Sequence, residues 1–338
     1  MVRSIFQAEL VNDPFGDPGA FVDFQFERRA LLLDLGDLAA LPPRKLLRVS
    51  HVFVSHTHMD HFAGFDHLLR LLLGRDKRLE LFGPPGLIAA VRHKLGAYTW
   101  NLISGYDDEL RFRVNEVGPS GISAAAEMSS RDAFRASSAA PAIHRPGVLV
   151  EEPELTVRFA VLDHQIPCLA FALEESVHLN VWKSRLSELG FEPGPWLQEL
   201  KAAVLRGEPE DRLLTVRREG GGGEISLRLG KLRRQLLSTT PGQKIAYVVD
   251  AVFSPGNAEA IVRLAQGADL LFIESAFADA DRERARERFH LTARQAGELA
   301  RSAGVRRLVP MHFSPRYSDT PELLAGEAEE AFAGGSRS

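Results

Sequence analysis

The feature that most constrains this chain is a short apolar run, residues 49–54, that leads directly into a cluster of histidines and an aspartate. Four side chains that can bind a metal ion follow within six positions: His56, His58, Asp60 and His61. Neutral imidazoles and carboxylates are donors that suit zinc or manganese. Because side chains at i and i+2 on extended backbone point the same way, His56 and His58 can bind one ion. Asp60 and His61 follow where the chain turns, so they can face a second ion.

The cysteine content limits which side chains can bind a metal ion in this cluster. Cys168 is the single cysteine among 338 residues, which excludes an intramolecular disulfide and a thiolate-rich zinc site. Any metal ion must therefore be held by His, Asp and Glu. A polar surface loop is the alternative interpretation of the cluster. Later apolar runs also end in side chains of ligand type, namely His164, Asp250 and His312. Because functional sites in α/β sheets collect at strand ends, this pattern favours the metal site.

The composition is that of a globular protein. Hydrophobic residues make up 45% and charged residues 25% of the chain, which excludes disorder or a collagen-like structure as a description of the whole. The sequence shows no signal-peptide pattern and no apolar run of membrane-spanning length, so we expect a soluble cytoplasmic protein. Short apolar runs alternate with segments of helical periodicity, which predicts an α/β fold. The length allows one large domain or two ordinary ones.

Two segments depart from this alternation. Residues 118–147 are rich in Ala, Ser, Gly and Pro, and we interpret them as a loop or surface insertion with a helix near residues 124–136. Residues 181–244 contain two helical pieces and then two alternating segments, 213–217 and 225–229, that flank a glycine-rich tip typical of a flexible hairpin. This block has twelve Lys and Arg against eight Asp and Glu, a net charge of +4. The overall net charge of −4 therefore leaves −8 for the rest of the chain.

The pattern His-x-His-x-Asp-His after an apolar strand resembles the metallo-β-lactamase superfamily, and later motifs resemble its ribonuclease Z branch. These motifs occur in the family's order and cover residues 31–317. They are residues 163–175 (the third metal histidine), 189–208 (the flexible arm), 241–250 (the run into the bridging aspartate), 273–277 and 290–293 (two catalytic support motifs) and 312–317 (the last ligand motif). The Gly-Thr-Gly opening of the family is absent from residues 10–20.

The resemblance implies a single domain over residues 1–338, folded as an α/β, αββα sandwich with residues 181–244 inserted as a flexible arm. It also implies seven metal ligands that bind two divalent ions, with zinc expected and manganese as the alternative. The first ion is assigned to His56, His58 and His164, the second ion to Asp60, His61 and His312, and Asp250 bridges the two.

The resemblance further assigns residues to catalysis. Two bound dications would lower the pKa of water toward about 7 and so supply a nucleophile at neutral pH. Asp60 is the candidate acceptor of the nucleophile's proton. His290 is the candidate proton donor to the departing oxygen, and Glu274 would orient it and keep it protonated. On spacing alone, a surface carboxylate and a polar helix cap would be the favoured interpretation of Glu274 and His290. Asp34 and Asp37 are candidate carboxylates behind the ligand histidines.

The basic block suggests an RNA partner. Its candidate contacts to an RNA backbone include Lys201, Arg206, Arg233 and Arg234, and an ordinary solvated hairpin is the alternative. By resemblance, the arm would clasp folded RNA in a homodimer.

Three functions stay open. The first is a two-metal phosphodiesterase of the ribonuclease Z type that acts on RNA, with the 3′ ends of precursor tRNA as the candidate substrate. The second is a hydrolase of the same fold that acts on a small ester, a thioester, a lactone or another phosphodiester. The third is a metal-binding interaction module without catalysis. The complete ligand set argues against the third function, and the arm argues against the second because a small substrate would not need it.

Overall fold

The computed structural model describes residues 6–25, 27–175 and 177–334. The chain forms two compact units. The larger unit contains residues 6–25, 27–150, 157–173 and 244–334, and the smaller unit contains residues 151–156, 174–175 and 177–243. None of the helices in the described ranges has the length and apolar character that a membrane crossing requires.

The described residues form eighteen strands and eleven α-helices. The strands are β1 (Phe6–Leu10), β2 (Ala20–Phe24), β3 (Ala30–Leu33), β4 (Val49–Phe53), β5 (Lys77–Gly83), β6 (Leu110–Gly118), β7 (Gly121–Ser129), β8 (Ala136–Ala139), β9 (Val148–Glu151), β10 (Leu155–Asp163), β11 (Pro167–Glu175), β12 (His178–Val181), β13 (Leu213–Arg217), β14 (Glu224–Arg228), β15 (Leu237–Thr240), β16 (Lys244–Val248), β17 (Leu270–Glu274) and β18 (Leu308–Met311). The helices are α1 (Pro43–Leu46), α2 (Met59–Phe62), α3 (Phe65–Leu72), α4 (Leu87–Gly96), α5 (Lys183–Glu188), α6 (Trp196–Leu205), α7 (Leu229–Leu236), α8 (Pro255–Ala265), α9 (Arg282–Glu287), α10 (Ala293–Ser302) and α11 (Pro321–Ala333).

Two sheets form the frame of the larger unit. Strands β1 to β8 build the first sheet in sequence order, and β3 to β6 are parallel to one another. The second sheet has the order β18-β17-β16-β11-β10-β9, and β16 to β18 are parallel. Phe53 in β4 packs against Phe171 in β11 with ring centroids 5.5 Å apart, so the two sheets face each other.

Helices cover the outer faces of both sheets. Phe65 of α3 and Val91 of α4 share an apolar cluster with Val52 of the first sheet. Ile261 of α8 and Leu299 of α10 pack in the same way on the second sheet. All residues of β3 are buried, as expected for a strand that is covered on both faces. The resulting order of helix, sheet, sheet and helix confirms the αββα sandwich that the family resemblance implies.

The prediction of a helix near residues 124–136 is wrong. Residues 118–147 contain β7 and β8, which extend the first sheet, so the loop predicted for this segment is much shorter than expected. In the pairing of β6 with β7, Met128 lies opposite Phe112. The small side chains of the segment favour a helix locally, but pairing with the apolar strand β6 determines its structure.

The smaller unit has an apolar core of its own. The predicted helical pieces of residues 181–244 are confirmed as α5 and α6, and the predicted hairpin is confirmed as β13 and β14. Leu200, Val216 and Leu232 are buried together in this unit, because the alternating hairpin strands turn one apolar face toward the helices.

A close backbone contact fixes the loop that follows β4. A Cβ atom on Gly64 would lie only 2.1 Å from the carbonyl oxygen of Gly36, so a larger residue does not fit without movement of the backbone. The N–H of Gly64 donates to the carbonyl of Leu35 at 2.8 Å, and the N–H of Leu35 donates to the carbonyl of His61 at 2.9 Å. These contacts hold the histidine-rich segment against the loop after β3.

Candidate metal centre

The predicted ligands lie at the carboxyl ends of strands from both sheets. They are His56, His58, Asp60 and His61 after β4, His164 after β10, Asp250 after β16 and His312 after β18, with Glu274 at the end of β17 and His290 between α9 and α10. Because β16 to β18 are parallel, their carboxyl ends meet at one edge of the sheet. The structure therefore brings all the predicted metal-ligand and catalytic residues into one cluster.

One group of candidate ligands contains three histidines and an aspartate. Atoms of His56, His58, His164 and Asp250 that can bind a metal all lie within 4.8 Å of one another. Nε2 of His56 lies 3.5 Å from Asp250 Oδ2, and Nε2 of His164 lies 3.4 Å from the same oxygen. Imidazole nitrogens that converge on a carboxylate oxygen form a donor set of the kind that zinc binds.

A second group contains Asp60, His61 and His312, whose candidate ligand atoms also lie within 4.8 Å of one another. Asp60 Oδ2 lies 3.5 Å from His61 Nε2 and 3.4 Å from His312 Nε2. His61 Nε2 is in turn 3.4 Å from Asp250 Oδ2. The two groups therefore meet at this one oxygen of Asp250.

Several of the converging atoms lack a hydrogen-bond partner. Among the described residues, His56 Nε2, His61 Nε2 and Asp250 Oδ1 are buried without one. Asp250 Oδ1 lies 2.8 Å from His312 Nδ1, but the angles at this contact are not those of a hydrogen bond. Buried polar atoms in proteins are nearly always satisfied, so a converging set of unsatisfied atoms requires an explanation. Cations bound between these atoms would satisfy them, and the donor set therefore fits a metal centre.

Burial and nearby carboxylates shift the pKa values of the clustered histidines in opposite directions. Burial favours the neutral form of His61, but the carboxylates of Asp250 and Asp34 raise its pKa well above the usual value. Burial also opposes the charged form of His312, whose pKa the Asp250 carboxylate nevertheless raises to about 10. In contrast, burial and the nearby charge of His61 lower the pKa of His56 to about 3. Cations that bind here would displace protons from His61 and His312.

A buried carboxylate orients His61. Asp34 Oδ2 accepts hydrogen bonds from His61 Nδ1 at 2.9 Å, from Ser55 Oγ at 2.8 Å and from the Tyr247 hydroxyl at 3.0 Å. The bond to Nδ1 sets the tautomer in which Nε2 is free to bind a metal. Asp34 was a sequence candidate, but Ser55 and Tyr247 were missed because neither residue type signals a metal site.

Asp37, the other candidate carboxylate, does not reach the cluster. It is exposed, and its Oδ1 accepts the backbone N–H of Ala39 at 2.9 Å. A backbone carbonyl orients His164 instead of a carboxylate, because Nδ1 of His164 donates to Phe289 O at 2.8 Å. A backbone contact of this kind leaves no signal in the sequence.

Glu274 and His290 form a pair beside the cluster. His290 Nδ1 donates to Glu274 Oε2 at 2.7 Å, and Glu274 Oε1 accepts the backbone N–H groups of Ala251 at 2.6 Å and Leu291 at 3.3 Å. The Glu274 side chain is fully buried, whereas 19% of the His290 side chain is exposed. Burial opposes the charged form of His290, but Glu274 raises its pKa above the usual 6.5. Glu274 therefore orients the ring and favours its protonated form.

Left-handed backbone conformations are concentrated around this cluster. Asp34, Asp250, Phe289 and His312 have φ angles of 61°, 48°, 61° and 57°. Non-glycine residues adopt this region at a cost of about 1–3 kcal/mol each, and such strain persists mainly at functional sites. The strain at these positions supports the interpretation of the cluster as a functional site.

The predicted RNA contacts lie in the smaller unit. They are Lys201 and Arg206 in and directly after α6, and Arg233 and Arg234 in α7. Arg206 Nε lies 2.8 Å from Glu208 Oε1, and Arg234 Nη1 lies 2.9 Å from Glu210 Oε2. Exposed ion pairs of this kind stabilise a protein little, so a phosphate group can replace the glutamate at small cost.

The role of Asp34 can be tested by removing its charge. Asp34→Asn keeps the shape of the side chain, and asparagine tolerates the left-handed backbone. Because the amide holds the His61 ring less firmly, we expect zinc affinity to fall about 10- to 100-fold. Competition with a chromophoric chelator at fixed pH measures this change, and circular dichroism verifies the fold. The exposed Asp37→Asn is the matched control and should bind zinc like the parent. An unchanged affinity in D34N would contradict the orienting role.

Comparisons with known proteins agree with this geometry. A model of the beta-lactamase superfamily domain matches residues 21–172 and 232–313. The ribonuclease Z of Deinococcus radiodurans is 34% identical over 95% of this chain and 94% of its own length, and that of Parabacteroides distasonis is 30% identical over 86% and 79%. The metallo-β-lactamase fold protein YhfI from Bacillus subtilis shares the fold, with a TM-score of 0.54 and 15% identity over 97% of this chain and 93% of that chain. The chain therefore belongs to the β-lactamase superfamily and, within it, to the ribonuclease Z family of metal-dependent hydrolases.

Proposed function

We propose that this chain is a two-metal phosphodiesterase that cleaves RNA, with the 3′ ends of precursor tRNA as the candidate substrate. The observation that carries the proposal is the position of Asp250 Oδ2, which lies 3.4 or 3.5 Å from Nε2 of three histidines. These histidines, His56, His61 and His164, belong to two different ligand groups. One carboxylate between two groups suits two dications held close together. The relatives named ribonuclease Z support RNA as the substrate class.

Each ion has its own set of side chains in this proposal. The first ion would be held by His56, His58 and His164 and the second by Asp60, His61 and His312, and Asp250 would contact both. When bound, such a pair of dications lowers the pKa of a water toward about 7 and neutralises charge on phosphoryl oxygens. The imidazole-rich donor set favours zinc, and manganese is the alternative.

Asp60 is the residue that we propose to accept the proton of the attacking water. Burial raises its pKa, but the hydrogen bond with His312 and the charges of His61 and His312 outweigh burial and lower the pKa to about 2. The carboxylate is therefore ionised at neutral pH. With 43% of its side chain exposed, it can reach a water at the surface of the cluster.

His290 is the residue that we propose to protonate the departing oxygen. Its Nδ1 is occupied by Glu274, so the proton on Nε2 is the one available for transfer. Glu274 is a positioning residue, because its other oxygen is fixed by two backbone N–H groups and its charge favours the protonated ring. The proposed proton donor, His290, and the proposed proton acceptor, Asp60, would then lie on different segments of the chain around the same ions.

We also propose that the block of residues 181–244 is an arm inserted in a single domain and that it contacts RNA. Its net charge of +4 contrasts with −8 for the rest of the chain, so an RNA backbone would be drawn to this segment. Lys201, Arg206, Arg233 and Arg234 are the proposed contacts. By family resemblance we propose a homodimer that works in the cytoplasm.

A comparison of substrates tests the proposed function. The zinc- or manganese-loaded chain should cleave precursor tRNA and a generic phosphodiester, because two dications stabilise charge on phosphoryl oxygens. Thioesters and lactones should be poor substrates in the same assay. A chelator should abolish cleavage, and added zinc should restore it. Hydrolysis of the carboxyl esters alone would overturn the proposal in favour of a small-ester hydrolase.

His290→Ala separates proton donation from metal binding. We expect phosphodiester cleavage to slow by about 10²- to 10⁴-fold, the range for loss of a general acid, while metal content stays that of the parent. Cleavage rates and elemental analysis of the purified variant measure the two quantities. His67→Ala is the control, because His67 is an exposed histidine on α3 and its loss should change neither. A metal-depleted H290A protein would show that His290 is a ligand rather than a proton donor.

A further inference from the structure

A cavity of about 320 Å³ opens beside the metal centre. Its lining includes His290 and His312, the aromatic side chains Phe277 and Phe313, and three arginines, Arg284, Arg288 and Arg316. This volume lies at the lower end of the range for small-ligand sites. The cavity thus combines two residues of the candidate centre with a concentration of positive charge.

Two of these arginines have no counter-ion among the residues that the structure describes. Arg284 and Arg288 are exposed and four positions apart, at α9 and the residue that follows it, so they lie on the same side of the helical turn. Neither forms an ion pair with any residue of the described ranges, whereas Arg282 of the same helix pairs with Asp279 at 2.8 Å. Arg316 lies 3.6 Å from Asp281 Oδ2. The cavity is therefore open to an external anion.

The backbone holds these arginines in a fixed relation to His290. Ala285, which lies between them in the sequence of α9, is buried in an apolar cluster with Phe277. The N–H of His290 donates to the carbonyl of Ala285 at 2.9 Å, and the carbonyl of Phe289 accepts from His164 Nδ1 at 2.8 Å. The helix that carries the arginines is thus connected to both the proposed proton donor and a proposed metal ligand.

We propose that Arg284 and Arg288 bind a phosphate of the RNA chain adjacent to the phosphate that is cleaved. This inference rests on the proposed function. The cavity borders His290, the proposed donor to the departing oxygen, so the bound phosphate belongs to the nucleotide on the departing side. Guanidinium groups suit this role because they donate paired hydrogen bonds to phosphate oxygens. Phe277 and Phe313 give the cavity an apolar wall beside the charges.

Calorimetric titration of the zinc-loaded chain tests this inference without relying on cleavage. The probe is a dinucleotide whose linking phosphate is replaced by an inert methylphosphonate, with and without an added terminal phosphate at its 5′ or 3′ end. The added phosphate at one of the two ends should strengthen binding to the parent about tenfold. In R284Q/R288Q the same phosphate should give less than about a threefold gain.

The matched control is Arg286→Gln, which removes the same charge from an exposed position on α9 that does not line the cavity. R286Q should keep the full gain from the terminal phosphate. For a short single-stranded RNA, R284Q/R288Q should also reduce the slope of log affinity against log salt by about 0.7 for the one lost phosphate contact.

These experiments distinguish a failure of the inference about the arginines from a failure of the proposed function. A terminal phosphate that strengthens binding equally in the parent, R286Q and R284Q/R288Q, or in none of them, would overturn the inference about the arginines. A parent chain that binds these probes but hydrolyses no phosphodiester with zinc or manganese would overturn the proposed function instead.

Discussion

The negative charge of Asp250 is buried, and its need for neighbouring imidazole rings determines where the strands of both sheets end. Its side chain is only 3% exposed, and a buried carboxylate is costly unless neighbouring charges compensate it. Four imidazole rings on three separate segments surround it, those of His56, His61, His164 and His312, and the charges of His61 and His312 provide the compensation. Strands of both sheets must therefore end close to the same point. The face-to-face packing of the sheets and the glycine contact at Gly64 bring these strand ends together.

The arrangement of histidines around Asp250 also determines which groups in the cluster carry charge. Burial raises the pKa of Asp250, but His312 and His61 hold it well below the usual value, so the carboxylate is ionised at neutral pH. Protons on the histidines and cations between them are alternative ways to neutralise this charge. Glu274 and His290 add a second acid–imidazole pair that remains outside the seven-ligand set. The proposed proton donor is thus separate from the residues that we propose as ligands of the ions.

The sequence was informative where chemistry and periodicity coincide. His56 to His61, Asp250 and His312 could be predicted because ligand-type side chains directly follow apolar strands. The strands β7 and β8 could not be predicted, because their small side chains do not indicate which strand they pair with. The contact of Tyr247 with Asp34 joins residues 213 positions apart, and a tyrosine gives no metal signal. The densely charged residues around Arg284 likewise fit a solvated helix, and only the structure shows that Arg284 and Arg288 line a cavity beside His290.

We propose that Asp250 contacts two metal ions at once. Anomalous diffraction from zinc-loaded crystals at the zinc absorption edge can locate these ions. We predict two zinc ions per chain, about 3.5–4 Å apart, with Asp250 in contact with both. The first should be bound by His56, His58 and His164, and the second by Asp60, His61 and His312. A single ion, or two ions of which one lies out of reach of Asp250, would contradict the account.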